Sequence, residues 1–133
     1  MTQVLGFHHL SLSVRDLSRS TEWYEQVLGF QVTDHLEGAG FRRTRMRSQA
    51  GVTLTLTCHE GQTGTTFSER HPGLDHVSFS VGAIDDVRAL DQHFEQLGVD
   101  HSELKLTQWA TASITIRDPD NIQLEVFGGP PAP

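Results

Sequence analysis

The sequence has little of several residue types, and each shortage excludes a class of protein. It has one cysteine, Cys58, among 133 residues, which excludes an intrachain disulfide and a zinc site built from several cysteines. Any bound metal must therefore be held by histidine and carboxylate side chains. The chain also has 10 basic against 17 acidic residues and a formal net charge of −7. This charge disfavours nucleic acid and anionic membrane surfaces as partners.

Long apolar segments are also missing. No apolar run approaches the ~20 residues that a membrane-spanning helix needs, and residues 1–6 lack the basic and apolar regions of a signal peptide. We therefore expect a cytoplasmic protein with no membrane partner. The length of the chain and its hydrophobic content of 36% are typical of one compact domain with a moderate core.

The sequence contains an internal repeat. The segment that begins at His9 reads HLSLSV, and the segment that begins at His76 reads HVSFSV. Each segment alternates like a short strand, and each is followed by a pattern of helical spacing that ends in Leu-Gly, at Gly29 and at Gly98. The two halves of the chain are therefore expected to share one plan.

Each half is predicted to contain the same five elements in the same order. The first half has a strand at 9–14, a helix at 16–28 capped by Ser18 or Ser20, and strands at 31–37, 41–47 and 52–58. The second half has a strand at 76–81, a helix at 84–97 with Asp85 or Asp86 at its start, and strands at 99–104, 111–117 and 122–127.

The sequence thus predicts an α+β protein in which paired βαβββ modules form an open curved sheet, shaped as a cup. Module one spans about 6–59 and module two about 73–127. Residues 60–72 lack periodicity and are interpreted as a linker, and residues 128–133, rich in Gly and Pro, as a loose tail. One helix on a small sheet is too little core, so we expect residues 1–133 to pack as a single domain.

The repeat marks equivalent positions on the polar face of the strands, because alternate residues of a strand share a face. These positions are His9, Thr55, His76 and Glu125. Two histidines and one carboxylate suit a divalent metal such as Zn, Fe(II), Mn, Co or Ni, and three ligands leave coordination positions open for water and substrate. Ser11 and Ser78 follow the histidines on the same face.

Three more side chains are candidates for this face. If the fourth strand continues past Cys58, His59 is a candidate catalytic acid or base; otherwise it is a loop residue. Arg43 and Arg45 either project along the cup, where they suit a carboxylate or phosphate, or form a solvated edge.

These residues resemble those of the vicinal oxygen chelate superfamily, which includes glyoxalase I, extradiol dioxygenases, fosfomycin-resistance proteins and bleomycin-resistance proteins. The resemblance extends from His9 to Phe127 and is carried by the segments HLSLSVRDLSRS, GLDHVSF and RDPDNIQLE. It implies that His9, His76 and Glu125 are metal ligands and that the adjacent His8 points to the other side. It also implies a homodimer.

The chain departs from glyoxalase I at Thr55, where that enzyme has a glutamate that acts as ligand and base. By resemblance we expect a metal-dependent enzyme that acts on a small oxygen-chelating substrate, of the lyase or isomerase type, with Ser11 and Ser78 as orienting donors and Thr55 in the substrate site. The alternatives are an extradiol Fe(II) dioxygenase and a non-catalytic drug- or metabolite-binding protein.

Overall fold

The computed structural model describes residues 1–130 and divides the chain into two compact units. The first unit is Met1–Thr63 and the second begins at Gly64. The boundary lies inside the segment 60–72 that the sequence predicts as a linker. Among residues 1–130, no helix is long and apolar enough to cross a membrane.

Both units have the order βαβββ. The first unit consists of β1 (Leu10–Ser13), α1 (Leu17–Leu28), β2 (Gln31–Gly38), β3 (Phe41–Arg47) and β4 (Thr53–His59). The second consists of β5 (Val77–Gly82), α2 (Ile84–Leu97), β6 (Lys105–Leu106), β7 (Ala112–Arg117) and β8 (Gln123–Gly128).

Each unit forms one open, four-stranded mixed sheet. The strand orders are β1-β4-β3-β2 and β5-β8-β7-β6, so the last strand of each unit lies between the first strand, which is parallel to it, and the third, which is antiparallel. The predicted α+β fold class and the predicted repeat are confirmed.

The core of the first unit lies between α1 and one face of its sheet. Leu54 and Leu56 on β4 and Met46 on β3 are fully buried, and α1 packs on β2, β3 and β4 with Tyr24 and Val27 buried. Each such side chain contributes roughly 1.5–3 kcal/mol when it is removed from water.

The start of α1 differs from the prediction. Its cap is Asp16, whose Oδ1 accepts a hydrogen bond of 3.0 Å from the Arg19 N–H, and neither Ser18 nor Ser20 has this role. Asp16 precedes the first helical turn, where an acceptor meets N–H groups that have no partner in the helix. Gly29 ends α1 with a left-handed φ of 71°, as predicted.

In the second unit, the strand predicted at 99–104 is wrong. The paired strand is β6 at Lys105–Leu106, and within 99–104 only His101 forms an isolated bridge, to Ile116. The reason is local: the Val99 N–H donates to the Phe94 carbonyl at the end of α2, and the Ser102 hydroxyl accepts from the Thr115 N–H at 2.9 Å. These bonds take the place of a regular ladder.

The predicted linker and tail are partly structured. Residues from Gly64 onward belong to the second unit, where the Phe67 N–H donates to the Asp120 carbonyl at 2.8 Å and the Asn121 amide donates to the Phe67 carbonyl at 3.0 Å. Gly128 ends β8. The Gly129 N–H donates to the Gly82 carbonyl at 2.6 Å, and residues 131–133 of the predicted tail lie outside the described residues.

The turn between β7 and β8 depends on one buried carboxylate. Asp118 is 5% exposed, and its Oδ1 accepts from the Asp120 and Ile122 N–H groups at 2.9 and 2.8 Å. We predict that Asp118→Ala lowers the free energy of unfolding by about 1–3 kcal/mol, because two N–H groups lose their acceptor. Asp118→Asn keeps a side-chain oxygen and should lose less. Urea denaturation checks this, and equal losses for both variants would contradict it.

Candidate functional site

The face of the first sheet opposite α1 carries polar side chains. Ser11 on β1 and Arg45 on β3 both pair with Thr55 on β4, which is only 4% exposed. Two residues further along β4, on the same face, Thr57 Oγ1 lies 3.3 Å from Ser11 Oγ and accepts a 2.9 Å hydrogen bond from Arg43 Nε. Three neighbouring strands thus present hydroxyl and guanidinium groups to one side.

A cavity of about 470 Å³ opens on this face. Its lining is His8, His9, Arg43, Arg45, Arg47, Gly51, Thr53 and Thr55. The structure therefore brings His9, Thr55 and the two predicted arginines together within one unit.

His8 does not point away from His9, as the resemblance implies. Both rings line the cavity, and their Nδ1 atoms are 2.9 Å apart. The expectation fails because β1 begins only at Leu10, so the alternation of a strand does not apply to these two residues.

His59 is the last residue of β4 and is exposed, so the strand does continue past Cys58. Alternation places it on the face of Thr55 and Thr57. Its backbone N–H donates to Gln62 Oε1 at 3.2 Å, and its ring centroid lies 6.4 Å from that of Phe41. It lies outside the set of residues that line the arginine-containing cavity.

The second unit carries the other two predicted ligands, and each is held by a neighbour. Ser78 and Glu125 are paired across β5 and β8, and the Ser78 hydroxyl donates to Glu125 Oε1 at 2.6 Å. His76 Nδ1 lies 2.7 Å from Asp75 Oδ2. When Nδ1–H donates to this carboxylate, the lone pair of His76 Nε2 is left for a metal ion, an arrangement common among metal-binding histidines.

A chain of polar contacts supports Asp75 from the far side. Gln123 Nε2 lies 3.4 Å from Asp75 Oδ2, and Gln123 Oε1 accepts from Arg117 Nη2 at 2.9 Å. Arg117 in turn donates from both terminal nitrogens to Glu69, at 3.0 and 2.9 Å. A continuous series of polar contacts thus links His76 to Glu69, which lies in the predicted linker.

Sequence reasoning missed several of these partners. Asp75 could have been found as a carboxylate adjacent to a candidate ligand. Arg47, which lines the cavity, could have been found by extending the alternation of Arg43 and Arg45 along the strand. Glu69 gave no such signal, because its partner Arg117 is distant in the sequence.

The chain matches the model of one known protein family. The family model of the Glyoxalase/Bleomycin resistance protein/Dioxygenase superfamily matches residues 6–126. The chain belongs to this superfamily. No curated protein matches the chain.

Solved structures of the superfamily are similar over almost the whole chain. A glyoxylase/bleomycin resistance protein/dioxygenase domain from Frankia sp. EAN1pec is 30% identical, with a TM-score of 0.89, and the match covers 98% of this chain and 96% of that one. The fosfomycin resistance protein FosX from Listeria monocytogenes, complexed with Mn(II) and sulfate, is 19% identical, with a TM-score of 0.72 and coverages of 96% and 95%. A glyoxalase family protein from Enterococcus faecalis is 18% identical, with a TM-score of 0.74 and coverages of 92% and 97%. At these lower identities the similarity shows the fold alone.

The donor set of the chain fits a divalent metal. Of the predicted ligands, the imidazole of His76 and the carboxylate of Glu125 lie in the second unit and the imidazole of His9 lies in the first. Within residues 1–130, no group of three His, Cys, Asp or Glu side chains lies together to hold a metal ion.

The Glu69–Arg117 pair makes the stability of the second unit depend on pH. Hydrogen bonds from Arg117 lower the pKa of Glu69 from 4.5 to about 2, and the same contact raises the pKa of Arg117. Since the folded pKa of Glu69 is depressed, its contribution is complete above about pH 4.5 and is lost as the pH falls towards 2.

We predict that Glu69→Gln is less stable than wild type at neutral pH and that the difference shrinks between pH 5 and pH 2. Urea denaturation across this range measures it. Glu60→Gln, at an exposed residue, is the control for the loss of one carboxylate. A Glu69→Gln difference that grows with acidity would contradict the assignment.

Proposed function

We propose that the protein is an enzyme that binds one divalent metal ion through His9, His76 and Glu125 and acts on a small molecule that chelates the metal through oxygen atoms. The observation that carries the proposal is the support of two ligands in the second unit: Asp75 orients His76, and Ser78 orients Glu125. Such outer partners fix the orientation of a ligand before metal binds. When bound, the metal supplies Lewis-acid stabilisation of developing negative charge on substrate oxygen.

Thr55 limits the reaction type. It occupies the position equivalent to Glu125 and has no carboxylate to bind a metal or to take a proton from substrate. A proton must therefore move through another group, and His59, on the same face of β4, is the side chain that we assign to this role. We propose a lyase- or isomerase-type reaction in which Ser11 and Ser78 orient the substrate.

Two other functions are consistent with the same ligands. An extradiol dioxygenase would use Fe(II) at this three-ligand site. A non-catalytic binding protein is favoured by Thr55, since a binding site needs no base. We expect a homodimer in each case, and sedimentation or light scattering measures it.

His76→Ala tests the metal site. After supplementation with Zn, Mn, Fe(II), Co or Ni, we predict that the wild-type protein carries bound metal by elemental analysis. His76→Ala should carry only traces, because two ligands hold a divalent ion weakly. His71→Ala is the matched control, since His71 is an exposed histidine outside the site. Equal metal in wild type and His76→Ala would refute the site.

The outer partner is tested separately with Asp75→Asn. We predict a loss of about 10–100-fold in metal affinity, measured by competition with a chelator. Asp100→Asn removes another exposed carboxylate and should bind metal like wild type. An unchanged affinity in Asp75→Asn would show that Asp75 does not support His76.

Activity assays separate the reaction classes. Thiol-dependent turnover of 2-oxoaldehydes would support the lyase or isomerase, and oxygen uptake with catechols would support the dioxygenase. Tight binding of an aromatic drug with neither activity would support the binding protein.

A further inference from the structure

The basic residues of this acidic chain are concentrated on one strand. The formal net charge is −7 with only ten Lys and Arg residues, yet β3 (Phe41–Arg47) contains four of the arginines. Three of them, Arg43, Arg45 and Arg47, alternate along one face and line the 470 Å³ cavity. No carboxylate is among the residues that line this cavity, which we call the arginine cavity.

The side chain of Arg43 is fixed in orientation by partners that do not neutralise its positive charge. Arg43 donates from Nε to the Thr57 hydroxyl at 2.9 Å, and its guanidinium carbon lies 4.5 Å from the centre of the Phe41 ring. Both partners are uncharged. The hydrogen bond uses only Nε–H, so the two terminal amino groups of Arg43 are left to bind a ligand in a fixed orientation.

Arg45 has one acidic neighbour, and the contact is weak. Its Nη1 lies 3.7 Å from Asp34 Oδ2, and both side chains are about half exposed, 47% and 54%. Ion pairs of this kind contribute little. Arg43, Arg45 and Arg47 are alternate residues of one strand and therefore lie on the same face, where three like charges favour the binding of an anion.

We propose that the arginine cavity binds a carboxylate or phosphate group of the substrate, so that the substrate is a small anionic molecule. Guanidinium groups bind both kinds of oxyanion through paired hydrogen bonds. The volume of about 470 Å³ suits a small molecule, and the net charge of the chain opposes a long polyanion. Because His9 lines the same cavity, the anionic group would bind beside a metal ligand, and this last step rests on the proposed function.

The chain provides a matched control on the same strand. Arg42 is exposed on the opposite face of β3 and lines a different cleft, with Leu17 and Thr21 of α1. Arg42→Gln removes the same charge as Arg43→Gln or Arg45→Gln and leaves the arginine cavity intact. A general effect of net charge on anion binding is thereby distinguished from specific binding at the arginine cavity.

Calorimetric titration of the full chain with methylphosphonate and, separately, with acetate tests the proposal. We expect wild type and Arg42→Gln to bind at least one probe with equal affinity, and Arg43→Gln and Arg45→Gln to bind it about tenfold more weakly or worse. Arg43→Lys keeps the charge without the paired donors and should be intermediate. Binding of only one probe identifies the oxyanion as phosphate-like or carboxylate.

Two results would overturn the anion site. One is the absence of binding of either probe by wild type at millimolar concentration. The other is binding that Arg43→Gln and Arg45→Gln do not weaken beyond Arg42→Gln. Thermal unfolding of each variant establishes that it is folded, and Arg43→Lys provides the comparison if Arg43→Gln unfolds.

The His76→Ala variant separates this proposal from the proposed function. Anion binding that persists in metal-depleted His76→Ala supports a site built by the first unit. If wild type binds no metal but does bind the anion, and Arg43→Gln does not bind the anion, the metal enzyme is wrong and the anion site stands. If wild type binds metal but the arginine variants bind the probes normally, only the anion site is wrong.

Discussion

The last strand of each unit fixes the positions of both the core and the candidate site. β4 lies between β1 and β3, and β8 lies between β5 and β7, so each makes hydrogen bonds along both of its edges. Leu54 and Leu56 are buried under α1, and Leu124 and Val126 are buried in the second unit. A slip of one residue would expose these apolar side chains, which makes the register strongly determined.

The same register positions the candidate functional side chains. With Leu54 and Leu56 held on the core face, Thr55 must lie on the opposite face, between Ser11 of β1 and Arg45 of β3. With Leu124 and Val126 held in the core, Glu125 must lie beside Ser78. Hydrophobic burial therefore stabilises the strand register that holds these polar groups in position.

The two units share a fold but differ in their chemistry. The polar face of the first sheet carries the positive charge of three arginines around a cavity that two histidines also line. In the second unit the candidate ligands are held by hydrogen bonds. Ser78 donates to Glu125, and His76 contacts Asp75, from which polar contacts continue through Gln123 to the Glu69–Arg117 pair. This difference is the basis of the two proposals, an anion site in the first unit and oriented metal ligands in the second.

The sequence by itself determined the repeat, both helices, seven of the eight strands and the face on which Thr55 and Glu125 lie, because these depend on local periodicity and on the strong signals of Leu-Gly helix ends. It did not determine β6 or the position of His8, because short segments at strand ends follow neither period, and it left open whether β4 extends to His59. Only the tertiary structure decided that Arg43 is held by Thr57, that Asp75 contacts His76, and that Glu69 contacts Arg117. The Arg43–Thr57 and Glu69–Arg117 contacts join residues that are distant in the sequence and depend on strand register. The Asp75–His76 contact joins chain neighbours, and it depends on side-chain rotamers, which no local pattern of residues specifies.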